Sequence, residues 1–314
     1  MRRHQRHNLI VCVLVGASLV GASLARAHPL PGAPQCPVFP SNNSWNERVD
    51  RLPVARNSAT LIGAIGLNVP LHAGFGAGLW DGSPIGIPYS VVSNTPSVHV
   101  RLDPAYASRA YRGLYPLVAE LPIEESDTDY HLIVVDRKTC LDYELFGAHP
   151  LPDGAWRATT GVVFNLRSNR LRPKGWTSAD AAGLPILPGL ARYDELAGGS
   201  IDHALRFTAP YTRAAFVYPA RHYGSGTNNP SLPPMGLRVR LKAGVDISHL
   251  PRQARVIAIA LKRYGMILAD NGPAWYVSGA PNPRWNNDAL RALGRLSGRD
   301  FEVVDTGSLP HPGQ

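Results

Sequence analysis

The chain has 314 residues, 44% of them hydrophobic and 18% charged. That is enough apolar material for a globular core and too little charge for a disordered chain. Three cysteines exclude a disulfide-dense scaffold. The net charge of +9 comes without a Lys/Arg block or an aromatic–basic pattern, which argues against a nucleic-acid partner.

Arg2, Arg3, His4 and Arg6 open the chain, an apolar run covers 9–24, and Ala25-Arg26-Ala27 offers small residues for cleavage. This pattern predicts a secretory signal peptide over 1–27, and the run is short for a bilayer span. Cleavage would remove Arg2, Arg3, Arg6 and Arg26, lowering the basic count from 32 to 28 against 23 acidic residues, a net charge of +5. Such a mildly basic mature chain suits an anionic polymer or a cell envelope without demanding one. Cys36 and Cys140 then remain as an even pair, which predicts one disulfide in an oxidising compartment; two separate buried thiols are the alternative. No Cys or His spacing resembles a zinc site.

A Pro-rich linker is expected over 28–40, one β-rich domain over 41–306 and a tail over 307–314. A short helix is expected over 58–65, with Leu61 and Ile65 on one face. Residues 72–89 read as a Gly/Pro loop with Phe75, Trp80 and Tyr89. Strands follow. Val98, Val100 and Leu102 alternate with His99 and Arg101, and 131–136 is a continuous apolar run that fits a buried central strand. Further strands are expected over 142–146, 162–166, 201–208 and 214–218. In the run 201–208, Ile201, His203, Leu205 and Phe207 share one face, and Asp202, Ala204, Arg206 and Thr208 the other. Leu237, Val239 and Leu241 alternate with Arg238, Arg240 and Lys242, which reads as a solvated outer face or a basic stripe for an anionic chain.

Helical spacing of Leu250, Ala254, Ile257, Leu261 and Tyr264 predicts a late helix, with Pro251 at its start and Gly265 at its stop. A second, shorter helix is expected over 288–296, and 301–305 as a last edge strand. Many short strands with Gly/Pro turns predict a mainly β fold, a β-sandwich or jelly-roll-like single domain with long loops and two short C-terminal helices.

The stretch from Trp176 to Arg206 has neither helical nor strand period. A punctuated loop of this length in a compact domain points to function. It carries Asp180, Arg192, Asp194 and Glu195 and runs into His203 and Arg206. No Gly-x-Ser-x-Gly elbow, P-loop, His-Glu-x-x-His or dinucleotide fingerprint occurs, so neither a cofactor nor a catalytic metal is expected.

Carboxylates from separate loops are what glycosidic bond hydrolysis needs, one donating a proton and one attacking carbon or activating water. Asp194 or Glu195 with Asp270 is the expected pair, although each carboxylate could equally cap a loop. His222, with Arg221 and Tyr223 after an expected strand, could move a proton or be a hydrogen-bonded corner. His203 reads as a core residue or a tuner of protonation. Asp180, Arg192, His203, Arg206, Arg221, Tyr223, Trp176 and Trp275 are candidate substrate-binding residues, the aromatic faces suiting sugar rings or the core.

The segments Gly175–Leu190, Pro233–Arg238 and Tyr264–Gly272 resemble those of a family of secreted bacterial β-rich proteins with no known activity. The likeness covers most of the mature chain and implies no mechanism.

The function expected from these residues is a secreted glycoside hydrolase acting on an extracellular polysaccharide. A lyase on an acidic glycan and a non-catalytic glycan- or envelope-binding protein are the alternatives. Neither nucleic acid nor a membrane is an expected partner of the mature chain.

Overall fold

A computed structural model describes residues 29–124 and 129–313. The expected signal peptide, Cys12 and His28 lie outside the described residues. Strands account for 24% of the chain and helices for 15%, so the fold is mainly β.

Two sheets dominate. The first runs Thr160–Asn165, Leu141–Phe146, Leu132–Asp136, Tyr89–Val92, with the first three strands antiparallel and the last parallel to its neighbour. Leu132–Asp136 lies inside it, as its unbroken apolar run predicts, because both faces are covered. Ile133 and Val135 face the main core, while Leu132 and Val134 face a second cluster with Tyr115, Tyr143, Leu145 and Trp156.

The second sheet has six strands in the order His72–Ala73, Tyr276–Val277, Leu205–Ala209, Met266–Asn271, Arg238–Leu241, Phe301–Val303. Leu205–Ala209 pairs parallel with Met266–Asn271, and Phe301–Val303 is the edge strand expected near the C-terminus. Both sheets mix parallel and antiparallel pairs, whereas a jelly roll is antiparallel throughout.

Helices form at Ser58–Gly66, Arg252–Arg263 and Asn287–Arg291, close to the expected positions. The Asn286 side chain accepts the Ala289 N–H and caps the last of them. A further short helix, Tyr193–Gly198, occupies part of the expected loop, with Asp194 and Glu195 in its first turn, where the helix dipole favours acids. Within 72–89, Leu79–Trp80 and Ser83–Pro84 form a hairpin whose Asp81-Gly82 turn takes φ of 50° and 86°, the conformation that favours such a pair.

Three expectations are corrected. The proline-rich segment after residue 28 is no free linker. Leu30, Ala33, Cys36 and Val38 are buried in the main core, and Cys36 is bonded to Cys140 across a Cα separation of 5.4 Å.

The two arginines of the basic stripe are neither solvated nor open to a polymer, while Lys242 is exposed. Arg238 donates to the carbonyls of Ser44 (2.8 Å), Glu47 (2.9 Å) and Tyr264 (2.8 Å). Arg240 donates to the carbonyls of Val49 and Leu52 and to Glu302. The N-terminal arm crosses this face, and the guanidinium groups satisfy its backbone carbonyls.

Residues 214–218 form no strand, only a bridge at Phe216 to Met235. Prolines at 210, 219, 230, 233 and 234 deny this region the donors a ladder requires.

Candidate functional site

The segment Ala182–Arg192 is buried at every residue, which is unusual for irregular backbone because each N–H and C=O must find a partner. Pro185 and Pro188 bring no N–H. The Glu144 carboxylate accepts the N–H groups of Ile186 (2.7 and 3.0 Å) and Leu187 (2.9 Å). Gly189 and Leu190 donate back to Ile186 and Leu187, and Ser178 Oγ donates to the Leu184 carbonyl at 2.5 Å.

Glu144 and Asp142 alternate along a strand and so share the face turned to the main core. Both are fully buried. Burial first, then the Glu144 charge, raises the Asp142 carboxyl well above its ordinary value. Burial likewise raises Glu144, offset by its two backbone donors, to about 7.

Immediately upstream, four consecutive residues are each gripped by a different part of the fold. The Ala179 carbonyl accepts from His131 Nε2 at 3.0 Å. The Asp180 carboxylate accepts from Arg206 Nε (2.9 Å) and Nη2 (2.8 Å). The Ala181 N–H donates to Asp270 Oδ2 (3.4 Å), and its carbonyl accepts from His222 Nδ1 (3.0 Å). The Ala182 N–H donates to the Ala269 carbonyl, and its own carbonyl accepts the N–H groups of Arg221 and His222.

A β-bulge makes this convergence possible. Phe207 pairs with Leu268 but Thr208 with Asp270, so Ala269 is the extra residue. Without it, Asp270 would point to the opposite face from Arg206. With it, Asp270 joins the Arg206 face, and the freed Ala269 carbonyl receives Ala182.

Arg206 Nη2 reaches Asp270 Oδ2 at 3.3 Å, and Nη1 donates to Ser278 Oγ at 2.7 Å. The Asp180 side chain is fully buried, whereas a quarter of the Asp270 side chain is exposed. Burial, then the neighbouring Asp180 charge, pushes the Asp270 carboxyl up to about 8, against the opposing pull of Arg206. Asp270 therefore favours its protonated form more than an ordinary carboxyl and keeps a solvent-facing side. Against burial, the charge and hydrogen bonds of Asp180, with a smaller contribution from Asp270, hold Arg206 in its charged form.

His131 sits at the far end of this network. Burial disfavours its charged ring, but the hydrogen bond and charge of Glu124 outweigh burial and raise it to about 9. Glu124, Asp129 and His131 place one ligand-type atom each within 4.8 Å of one another.

On the other side, the backbone at 222–224 packs against the Asp270 strand. A Cβ on Gly224 would lie 2.4 Å from Asn271 Oδ1 and 3.1 Å from the Ala181 side chain, so only glycine fits there. The His222 ring stacks on Tyr223, which is 41% exposed.

The structure thus brings Asp180, Arg206, Asp270, Arg221, His222 and Tyr223 to one region. Trp176 borders it, the Gly175 N–H donating to the Arg221 carbonyl at 2.7 Å, and the remaining expected residues lie elsewhere. Glu195 is fully buried and is held by Arg192 and His203, so it does not pair with Asp270. Asp194 lies in the first turn of the neighbouring helix.

Trp275 is fully buried, stacked near Phe207 and Phe301, with its indole N–H donating to the Gly66 carbonyl at 2.8 Å. Its ring is core and offers no sugar platform. Trp176 is half-buried with the Arg172 guanidinium 5.5 Å from its ring centre.

Sequence reasoning missed Glu124, His131, Asp142, Glu144 and Ser278. The usable signal was the Asp-x-Glu alternation at 142–144. On an expected buried strand it places two carboxylates on one face.

No protein family, no curated protein and no solved structure matches this chain. The site is therefore read from its own chemistry.

Proposed function

We propose that the protein is a secreted carbohydrate-active enzyme that hydrolyses glycosidic bonds, Asp270 giving its proton to the leaving oxygen while a water adds to the anomeric carbon and loses a proton to solvent; Glu195, held by Arg192 and His203, does not supply the second carboxylate expected of such an enzyme. One observation carries this reading: Asp270 sits beside the buried Asp180 on one arginine, an arrangement that raises its carboxyl to about 8, and a quarter of its side chain is exposed. Glycoside hydrolysis requires an acid of that kind at its working pH. Asp180 is fully buried and clamped by Arg206, so its role is to tune and orient Asp270 rather than to touch substrate.

Elimination on an acidic glycan is the second reading, and His222 favours it. The Ala181 carbonyl can only accept, so Nδ1 carries the proton of the neutral ring and Nε2 keeps a lone pair able to act as a base. Arg221 and the exposed Tyr223 flank it.

The test is a polysaccharide panel assayed for both new reducing ends and unsaturated-uronate absorbance. Hydrolysis predicts the first signal alone, with Asp270→Asn lowering it by about a hundredfold or more while circular dichroism stays unchanged. Unsaturated product lost in His222→Ala would replace hydrolysis by elimination. Full activity in Asp270→Asn would remove Asp270 from the chemistry.

A further inference from the structure

We infer that the glycan taken by the site around Asp270 is an anionic one, a polyuronate whose ring carboxylates are held by Arg221 and Lys174. This rests on the reading of that site as one for polysaccharide and adds the class of polysaccharide. Between Asp103 and Glu120, between Asp153 and Asp180, and between Asp202 and Asp246 the sequence holds no acidic residue. The fold brings these three stretches together. Arg172 Nη2 donates to the Arg109 carbonyl at 2.5 Å, Arg221 Nε to the Arg172 carbonyl at 2.8 Å, and the Gly175 N–H to the Arg221 carbonyl at 2.7 Å.

Arg109, Arg172, Lys174 and Arg221 therefore stand where no neighbour in sequence offers a carboxylate. Among the described residues none of the four forms an ion pair; their partners are carbonyls and rings. An ordinary protein surface intersperses the two signs of charge. Cations gathered without counter-charges raise the local concentration of anions instead. Arg238 and Arg240 cannot serve in this way, because the N-terminal arm covers them.

The geometry favours a carboxylate as the anion. The Arg172 carbonyl occupies Arg221 Nε and leaves both Nη atoms without an acceptor among the described residues. Two such parallel N–H groups match the two oxygens of a planar carboxylate. The exposed Lys174 ammonium meets only the Phe216 ring, 6.0 Å from its centre. This face is continuous with Asp270. The N–H groups of Arg221 and His222 donate to the Ala182 carbonyl, and the preceding Ala181 N–H donates to Asp270 Oδ2. Tyr223, two residues beyond Arg221, exposes a ring suited to the C–H face of a sugar. A polyuronate offers a ring face and a carboxylate in every repeat.

The experiment measures binding by affinity electrophoresis, using wild-type protein and Asp270→Asn. The probes are polygalacturonate, alginate and hyaluronate, with dextran as a neutral polymer and single-stranded DNA as a different polyanion. New reducing ends and unsaturated product are followed in the wild type. At least one polyuronate should bind both proteins, more weakly as salt rises, and dextran should not. Arg221→Gln should weaken that binding about tenfold or more, and Lys174→Gln about threefold. Arg252→Gln/Arg255→Gln removes two exposed charges from a helix elsewhere and should leave affinity within about twofold. No polyuronate binding overturns the inference, as does equal binding of dextran, or undiminished affinity in whichever of Arg221→Gln and Lys174→Gln folds. Equal loss in the helix variant reduces the effect to net charge and also overturns it, and DNA bound as tightly overturns the choice of glycan. Cleavage of a neutral glycan without polyuronate binding refutes this inference and keeps hydrolysis. Polyuronate binding that weakens in Lys174→Gln, with neither product formed, supports this inference and removes the proposed reaction.

Discussion

Arg206 grips Asp180 with two nitrogens, Nε at 2.9 Å and Nη2 at 2.8 Å, while its Nη1 holds Ser278 and its Nη2 also reaches Asp270. The planar fork meets three partners at once from one strand position. A lysine, with its single ammonium, cannot span both oxygens of Asp180. Arg206→Lys should therefore destabilise the protein by about 3 kcal/mol, the lower end for breaking a buried ion pair. Urea unfolding measures this, and an unchanged midpoint would mean that the pair does not stabilise the fold. The double variant Asp180→Leu/Arg206→Met should recover much of the loss, because no lone charge is left buried.

Glu144 and Asp142 are neighbours on one strand with unequal roles. Glu144→Leu leaves the Ile186 and Leu187 N–H groups buried without an acceptor, at about 1–3 kcal/mol each. Burial and then the Glu144 charge push Asp142 toward its neutral form, so Asp142→Asn, which imposes a neutral polar group, should cost within about 1 kcal/mol. Equal losses in the two variants would show that Glu144 does not anchor the buried segment.

Three buried groups are shifted in the same direction. Asp270 rises from 3.8 to about 8, Glu144 from 4.5 to about 7, and His131 from 6.5 to about 9. In each case the folded state holds a proton over a range where the unfolded chain has released it. Stability therefore falls as pH rises through that range. The carboxyl contribution should fade between about pH 4 and pH 8, and the histidine contribution between about pH 6.5 and pH 9. Calorimetric scans should give a Tm that is highest under mildly acidic conditions and declines toward pH 9. A Tm that climbs over that window would contradict these assignments.

The Cys36–Cys140 bond closes a loop with a sequence separation of 104 and pins the N-terminal arm beside the four-stranded sheet. Loop-closure entropy for such a span is about 4–5 kcal/mol. The double variant Cys36→Ala/Cys140→Ala should lose stability of that order in urea unfolding, and the arm around Leu30 should gain hydrogen-exchange rate first. A loss below about 1 kcal/mol would mean that the packing of Leu30, Val38 and Phe39 holds the arm without the bond.

Parts of this architecture were legible in the residues. The unbroken run before Asp136 announced a strand covered on both faces. The Leu250–Tyr264 spacing announced the long helix, and the two cysteines outside the expected leader announced their own pairing. The loop bearing Asp180 stood out because it had no period. The alternation of Leu237 to Lys242 was read with the right period and the wrong surroundings. Period reports which side chains share a face, and nothing in it says that the arm at 44–52 returns to lie over Arg238 and Arg240.

The sequence by itself determined the mainly β class of the fold and the disulfide, and it singled out the segment around Asp180. Those follow from local periodicity, composition and counting. Only the tertiary structure decided which carboxylates meet. A single extra residue at Ala269 turns Asp270 toward Arg206, and a strand far away in the chain presents Glu144 to the buried amides at Ile186 and Leu187. Glu195, one of the two carboxylates expected to pair with Asp270, is instead held by Arg192 and His203. Partners of buried charges are chosen by whichever strand packs opposite, and that choice is set by the whole chain at once.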